Sequence, residues 1–178
     1  MPYLLVLVLS IFTLTGCQSA YYSAMEQVGY HKRDIMVDRV EDAKESQQDA
    51  QEEFTSALEA LSSLTNFNGG DLEDMYNKIN DKYQDSETAA QNVSDRIAAI
   101  EDVSDALFAE WQDELDLYTS ASLRRSSEQK LRETKSSYQT MLSAMKRAEK
   151  KMDPVLNTLR DNTLYLKHNL NASAVGSL

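Results

Sequence analysis

Cys17 is the side chain whose neighbours most narrowly define a chemistry. It closes Leu14-Thr15-Gly16-Cys17, directly after an apolar run over residues 4–14. A short apolar stretch, small residues and then a cysteine form a bacterial lipoprotein signal. The peptide is cut before Cys17, and the cysteine takes lipid on its thiol and on its new amino group. The run of eleven residues is far shorter than the roughly 20 that cross a bilayer core, and it matches the length of a signal-peptide core. Residues 1–16 are therefore expected to be a signal peptide, with Leu14, Thr15 and Gly16 as its recognition motif. Met1-Pro2-Tyr3 carries no Lys or Arg, so either the natural start lies upstream or the amino terminus alone supplies the positive end. Gln18 follows the cysteine, where Asp would retain a lipoprotein at the inner membrane. The expectation is an outer-membrane anchor facing the periplasm. Burial of each CH₂ contributes ~0.8 kcal/mol, so two or three acyl chains hold firmly where one does not.

The other reactive side chains assemble nothing comparable. His31 and His168 fall far apart, and neither belongs to a Glu-x-x-His pair of the kind that builds di-iron centres in helical bundles. No phosphate loop, G-x-S-x-G elbow or H-E-x-x-H helix occurs. Asp38, Glu41, Asp42 and Glu45 recur at helical spacing, as a solvated helix face does. Met141, Met145 and Met152 read as adaptable packing rather than a copper site. Tyr76, Tyr83, Tyr118 and Tyr138 lie on apolar stripes, where a hydroxyl at the core edge is the ordinary reason. The chain is expected to be no enzyme and to need no cofactor beyond the lipid on Cys17.

Helices must position these groups. Two prolines and five glycines in 178 residues leave long stretches free of helix breakers. With Cys17 used, no cysteine remains for a disulfide, so packing has to supply the stability. Apolar residues recur at alternating spacings of four and three. The first stripe runs through Met36, Val40, Ala43, Ala50, Phe54, Ala57, Leu61 and Leu64, and Met25, Val28 and Ile35 continue it upstream with a slip of register. The second passes Leu72, Tyr76, Ile79, Tyr83, Ser86, Ala90, Val93, Ile97, Ile100, Ser104, Leu107 and Trp111. The third passes Leu131, Tyr138, Met141, Met145, Met152, Val155, Leu159 and Leu166. Sustained sevenfold repeats predict left-handed supercoiling.

Asn66-Phe67-Asn68-Gly69-Gly70 predicts a turn and Asp71 the following N-cap. Ser120 or Ser122 is expected to cap the third helix, and Asp153-Pro154 to bend or restart it. The predicted fold is all-α: a long antiparallel three-helix bundle or coiled coil with helices at about 21–65, 71–118 and 122–170. It is one domain over 21–178, behind a lipidated cysteine and tether at 17–20. An open coil that pairs with other chains is the alternative architecture. Folding at the two turns brings Met25, Trp111 and Leu131 into one layer. It also sets Pro154 beside the small residues Ala50, Ser86, Ala89 and Ala90.

Charge sharpens the choice of partners. Residues 31–70 hold 9 acidic and 4 basic side chains, residues 71–119 hold 14 and 3, and residues 120–178 hold 5 and 11. A net charge of −11 disfavours nucleic acid, and the reversal suits the last segment to pack on the acidic ones. Arg124 and Arg125 lie just past the second turn, the end at which Tyr21 and Tyr22 also begin the first helix. These four residues are candidate membrane-surface contacts, at roughly 1 kcal/mol per basic residue on anionic lipid; the competing reading of the arginines is ordinary solvated charge. The partners are then the membrane through the anchor, an envelope protein, and further copies of the chain.

Several blocks are more specific than heptads: Val37-Asp38-Arg39-Val40-Glu41-Asp42-Ala43, Asn66-Phe67-Asn68-Gly69-Gly70-Asp71-Leu72 and Ser94-Asp95-Arg96-Ile97. Ala121-Ser122-Leu123-Arg124-Arg125 and Leu164-Tyr165-Leu166-Lys167-His168-Asn169-Leu170-Asn171 are two more. Together they resemble the proteobacterial family catalogued as domain of unknown function 2959. The resemblance implies helical envelope lipoproteins without established catalytic residues, and a further helical stretch beyond Leu178. The function expected is a non-enzymatic scaffold or spacer in the periplasm. The alternative is a helical-bundle module for a small ligand or ion, using the methionine and tyrosine positions or the small-residue layer near Pro154.

Overall fold

Stretches poor in Gly and Pro become helix wherever the chain is described. The computed structural model describes residues 16–64 and 72–176. Helix α1 is Gly16–Gln27, α2 Lys32–Leu64, α3 Leu72–Glu114, α4 Ala121–Glu149 and α5 Asp153–Gly176, with a 3-10 turn at Leu115–Leu117. The turn around Asn68, its Asp71 cap, and Leu14 and Thr15 lie outside the described residues.

Rising numbers on α2 meet falling numbers on α3. Asp42 pairs with Arg96 at 3.1 Å, Glu53 with Lys82 at 3.0 Å, and Ala60 clusters with Ile79. The same reversal relates α3 to α4, where Trp111 Nε1 donates to Ser127 Oγ at 2.8 Å and the Lys135 ammonium lies 5.6 Å from the centre of the Phe108 ring. The protein is all-α, with long helices packed antiparallel. Ser120 caps α4, its Oγ accepting from the Leu123 N–H at 3.4 Å.

The first predicted helix is in fact two. Gly29 takes φ +86°, the Tyr30 N–H donates to the Met25 carbonyl at 2.9 Å, and the Gly29 N–H donates to the Glu26 carbonyl at 2.9 Å. These two bonds around a left-handed glycine make a Schellman motif, which ends α1. The backbone N–H of His31 then donates to Asp34 Oδ2 at 3.2 Å, half of a capping box that starts α2. Tyr22 and Ile35 would lie about 20 Å apart along one straight helix, yet they share a buried cluster with Val103. The chain therefore reverses at 28–31, and α1 folds back along α2 and α3. The slip of register at Met25, Val28 and Ile35 is the trace of this reversal in the sequence. Of the expected Met25–Trp111–Leu131 layer, Met25 packs on the Tyr22–Ile35–Val103 cluster, and Trp111 bonds to Ser127, four residues before Leu131.

The third helix restarts where proline predicted it would. The Lys151 N–H donates to the Ala148 carbonyl at 3.1 Å and the Met152 N–H to the Glu149 carbonyl at 2.9 Å, tightening the end of α4. Pro154 is the second residue of α5, within the first turn, where its missing N–H leaves no ladder bond unmade.

The chain divides into two compact units. The first takes in Met1–Val40 and Ala99–Lys135, and the second Glu41–Ala98 and Ser136–Leu178. The second unit is lined with small residues on α2: Ala43, Ala50 and Ala57 are all at most 2% exposed, as are Ile79, Val93 and Leu159. Alanine at three successive heptad positions lets the neighbouring backbones come close. Burial of each large aliphatic side chain contributes about 1.5–3 kcal/mol. The first unit buries Tyr22, Ile35, Ile100, Val103, Leu115 and Leu131 instead.

Candidate functional site

Cys17 stands in the first turn of α1, immediately after Gly16, the first residue of that helix. Among the described residues no helix is long and apolar enough to cross a membrane. What α1 does have is a firm attachment to its own unit. Tyr22 is 6% exposed and packs with Ile35 and Val103, while Met25, Met36 and Ala106 close around them. Burial, and then the Asp102 charge, push the Tyr22 hydroxyl above the usual tyrosine range. Tyr22 is a core residue, which corrects its assignment as a membrane contact. Tyr21 remains exposed and meets the Tyr22 ring edge-on, 5.3 Å between centres at 66°.

A part-buried ammonium completes the attachment. Lys32 Nζ, on a side chain only 12% exposed, donates to Glu26 Oε1 of α1 and to Glu110 Oε1 of α3, the latter at 3.1 Å. Burial lowers the Lys32 pKa, but the hydrogen bonds to Glu26 and Glu110 and their charges outweigh it, so the net movement is upward. One cation thus ties three helices together at the reversal. Sequence reasoning passed over Lys32, Glu26, Glu110 and Gly29. The available signal was a glycine following a register slip, with Asp34 three residues after a free helix start.

The two arginines at the α3–α4 turn separate in role. Arg124 Nη2 donates to Asp116 Oδ1 at 2.9 Å and Arg124 Nε to Glu128 Oε1 at 3.1 Å, so it braces the turn. Arg125 is exposed. His31 belongs to the first unit and His168 to the second, and among the described residues no group of three His, Cys, Asp or Glu side chains is placed to hold a metal ion. The acidic face of α2 is engaged: Asp38 accepts from the Tyr30 hydroxyl at 2.9 Å and Asp42 from Arg96.

In the second unit a cleft of about 1080 Å³ opens between α2 and the junction of α4 with α5. Ala50, Phe54, Val93, Met152 and Val155 line it with apolar surface, and Gln47 stands at its edge, donating to the Met145 carbonyl at 3.4 Å. Ser86, expected in the small-residue layer, is fully buried, and its Oγ has no hydrogen-bond partner. Buried Ser104 and Thr163 instead donate to the carbonyls of Ile100 and Leu159, four residues back.

No curated protein and no solved structure matches the chain. A family model described as protein of unknown function (DUF2959) matches residues 21–178, nearly the whole segment after Cys17. The chain belongs to that family.

Proposed function

We propose that this chain is a lipid-anchored, non-enzymatic scaffold or spacer of the bacterial envelope, held through Cys17 at the periplasmic face of the outer membrane. The observation that supports this best is how the interior is used. Apolar heptad positions along α2 and α3 are filled by packing residues such as Ala43, Ala57, Ile79, Val93 and Ile100, each at most 1% exposed. At the partly exposed margin of that interior, titratable side chains are tied up in structural pairs, Lys32–Glu110 and Lys82–Glu53 among them. Feeding cells an alkynyl fatty acid reads the anchor: the native chain should take up label, and Cys17→Ser should lose it and leave the membrane fraction. Photocrosslinkers on the exposed faces of α3 and α5 in intact cells read the scaffold. Repeated capture of the same envelope protein supports it, and captures that never exceed those of an unrelated lipoprotein reject it.

One observation favours a second reading, a module that binds a small ligand. The cleft at Phe54, Met152 and Val155 lies where the chain interrupts its third helical stretch. Native mass spectrometry of protein purified from envelopes tests this. A bound small molecule that disappears in Gln51→Trp supports it, and a bare mass throughout rejects it.

A further inference from the structure

We infer that α1 is the membrane-contacting element: its outer face lies in the headgroup layer of the bilayer that takes the Cys17 lipid. The inference rests on the anchor reading above and adds which surface meets the membrane. From Ala20 to the end of α1 the exposed side chains are Ala20, Tyr21, Ser23, Ala24 and Gln27, and Val28 follows just past its end. None is charged, in a chain where 26% of residues are. Glu26 is the one charged residue in Gly16–Gln27, and it is turned to Lys32.

The opposite side of α1 is occupied by Tyr22 and Met25 in the core. A surface helix with its inner stripe already buried normally shows charge to water; this one shows alanine, serine, glutamine and tyrosine. Tyr21 is 44% exposed, Val28 77% and Tyr30 44%. Tyrosine of this kind is favoured at the headgroup level, where its ring and hydroxyl meet different surroundings. The helix begins at the anchor, so a lipid on Cys17 brings this face to the bilayer without any unfolding. Because α1 is clamped by Tyr22 and Lys32, the first unit meets the membrane on its α1 side. The α3–α4 turn, where Arg124 is engaged by Asp116 and Glu128, is the rival surface.

Lipidated full-length protein carrying a polarity-sensitive dye on a cysteine at Ala24, Val28 or Arg125 tests the inference. The native thiol is blocked by its own lipid. In vesicles of phosphatidylcholine, and in vesicles of phosphatidylethanolamine with phosphatidylglycerol, dyes at 24 and 28 should shift to the blue and lose quenching by iodide. The dye at 125 should stay quenched, and adding Tyr21→Glu should restore quenching at 28. Because the face is uncharged, both vesicle types should give the same shift. Quenched dyes at 24 and 28, shielding at 125, or equal shielding at all three overturns the inference. Circular dichroism confirms that each variant keeps its helix. Mass spectrometry of the same samples reads the lipid separately. A lipidated chain with wet α1 positions overturns the inference alone, and an unlipidated Cys17 overturns the anchor reading along with it.

Discussion

The two units bury their helices by different means. In the second, α2 buries alanine after alanine, and the Glu53–Lys82 and Asp42–Arg96 pairs join it to α3 at the partly exposed margin. A groove beside the α4–α5 junction stays open. In the first, a short extra helix is laid over α2 and α3 and held by an aromatic side chain and a part-buried cation. An alanine-lined interface needs only the heptad, whereas a folded-back helix needs a glycine, a cap and a charge placed in three dimensions. The first unit should therefore respond to pH and to single polar substitutions, and the second to volume.

The largest effect that separates the units is a cavity. Ile79→Ala, at a position with no exposed surface, should cost about 2–5 kcal/mol, measured by chemical denaturation. Hydrogen exchange should rise first in peptides of the second unit. Equal loss of protection in α1 would show that the units open together.

Lys32→Gln should cost about 1–2 kcal/mol, because Glu26 and Glu110 are partly exposed and recover water when the cation goes. Trp111, the only tryptophan, sits in the first unit and reports its melting. The same fluorescence reads the pH dependence. Tyr22 and Lys32 both hold their protons more tightly in the folded state than the ordinary values of 10.0 and 10.5. Their contribution is complete below about pH 10 and is lost as pH rises through the raised values. The Trp111 transition should move to lower temperature above pH 10 in the native chain and move less in Lys32→Gln. An identical shift in both would remove Lys32 from the account.

Gly29→Ala should cost about 1 kcal/mol from the left-handed backbone alone, since nothing lies within 4 Å of where the new methyl would stand. Exchange in α1 should quicken while the second unit stays unchanged. The smallest effect carries the opposite sign. Ser86→Ala removes a buried hydroxyl that bonds to nothing and should stabilise the second unit by roughly 0.5–1 kcal/mol. A loss of stability there would mean that the hydroxyl has a partner in solution.

Much of this was legible along the chain. The stripe through Ile79, Val93 and Ile100 required a buried face, and Pro154 required an interruption. The fold-back of α1 was not legible in the same way. A heptad records which side of a helix is apolar, and Tyr22 and Met25 satisfy it whether α1 continues α2 or turns back upon it. The two arginines show the same limit: as sequence they are equal, and Asp116 and Glu128 make only Arg124 a brace. The cleft was anticipated only as small residues near Pro154, because its lining draws on residues as far apart in the chain as Phe54, Val93 and Val155.

By itself the sequence determined the all-helical class, the antiparallel run of the long helices and the candidate anchor at Cys17, since periodicity, breakers and a local motif act over a few neighbouring residues. Tertiary structure alone decided that α1 reverses at Gly29, that Tyr22 is core and Tyr21 surface, and that one ammonium joins three helices. Those outcomes depend on what stands opposite a side chain across a packed interface, and that is set by residues as far apart in the chain as Lys32 and Glu110.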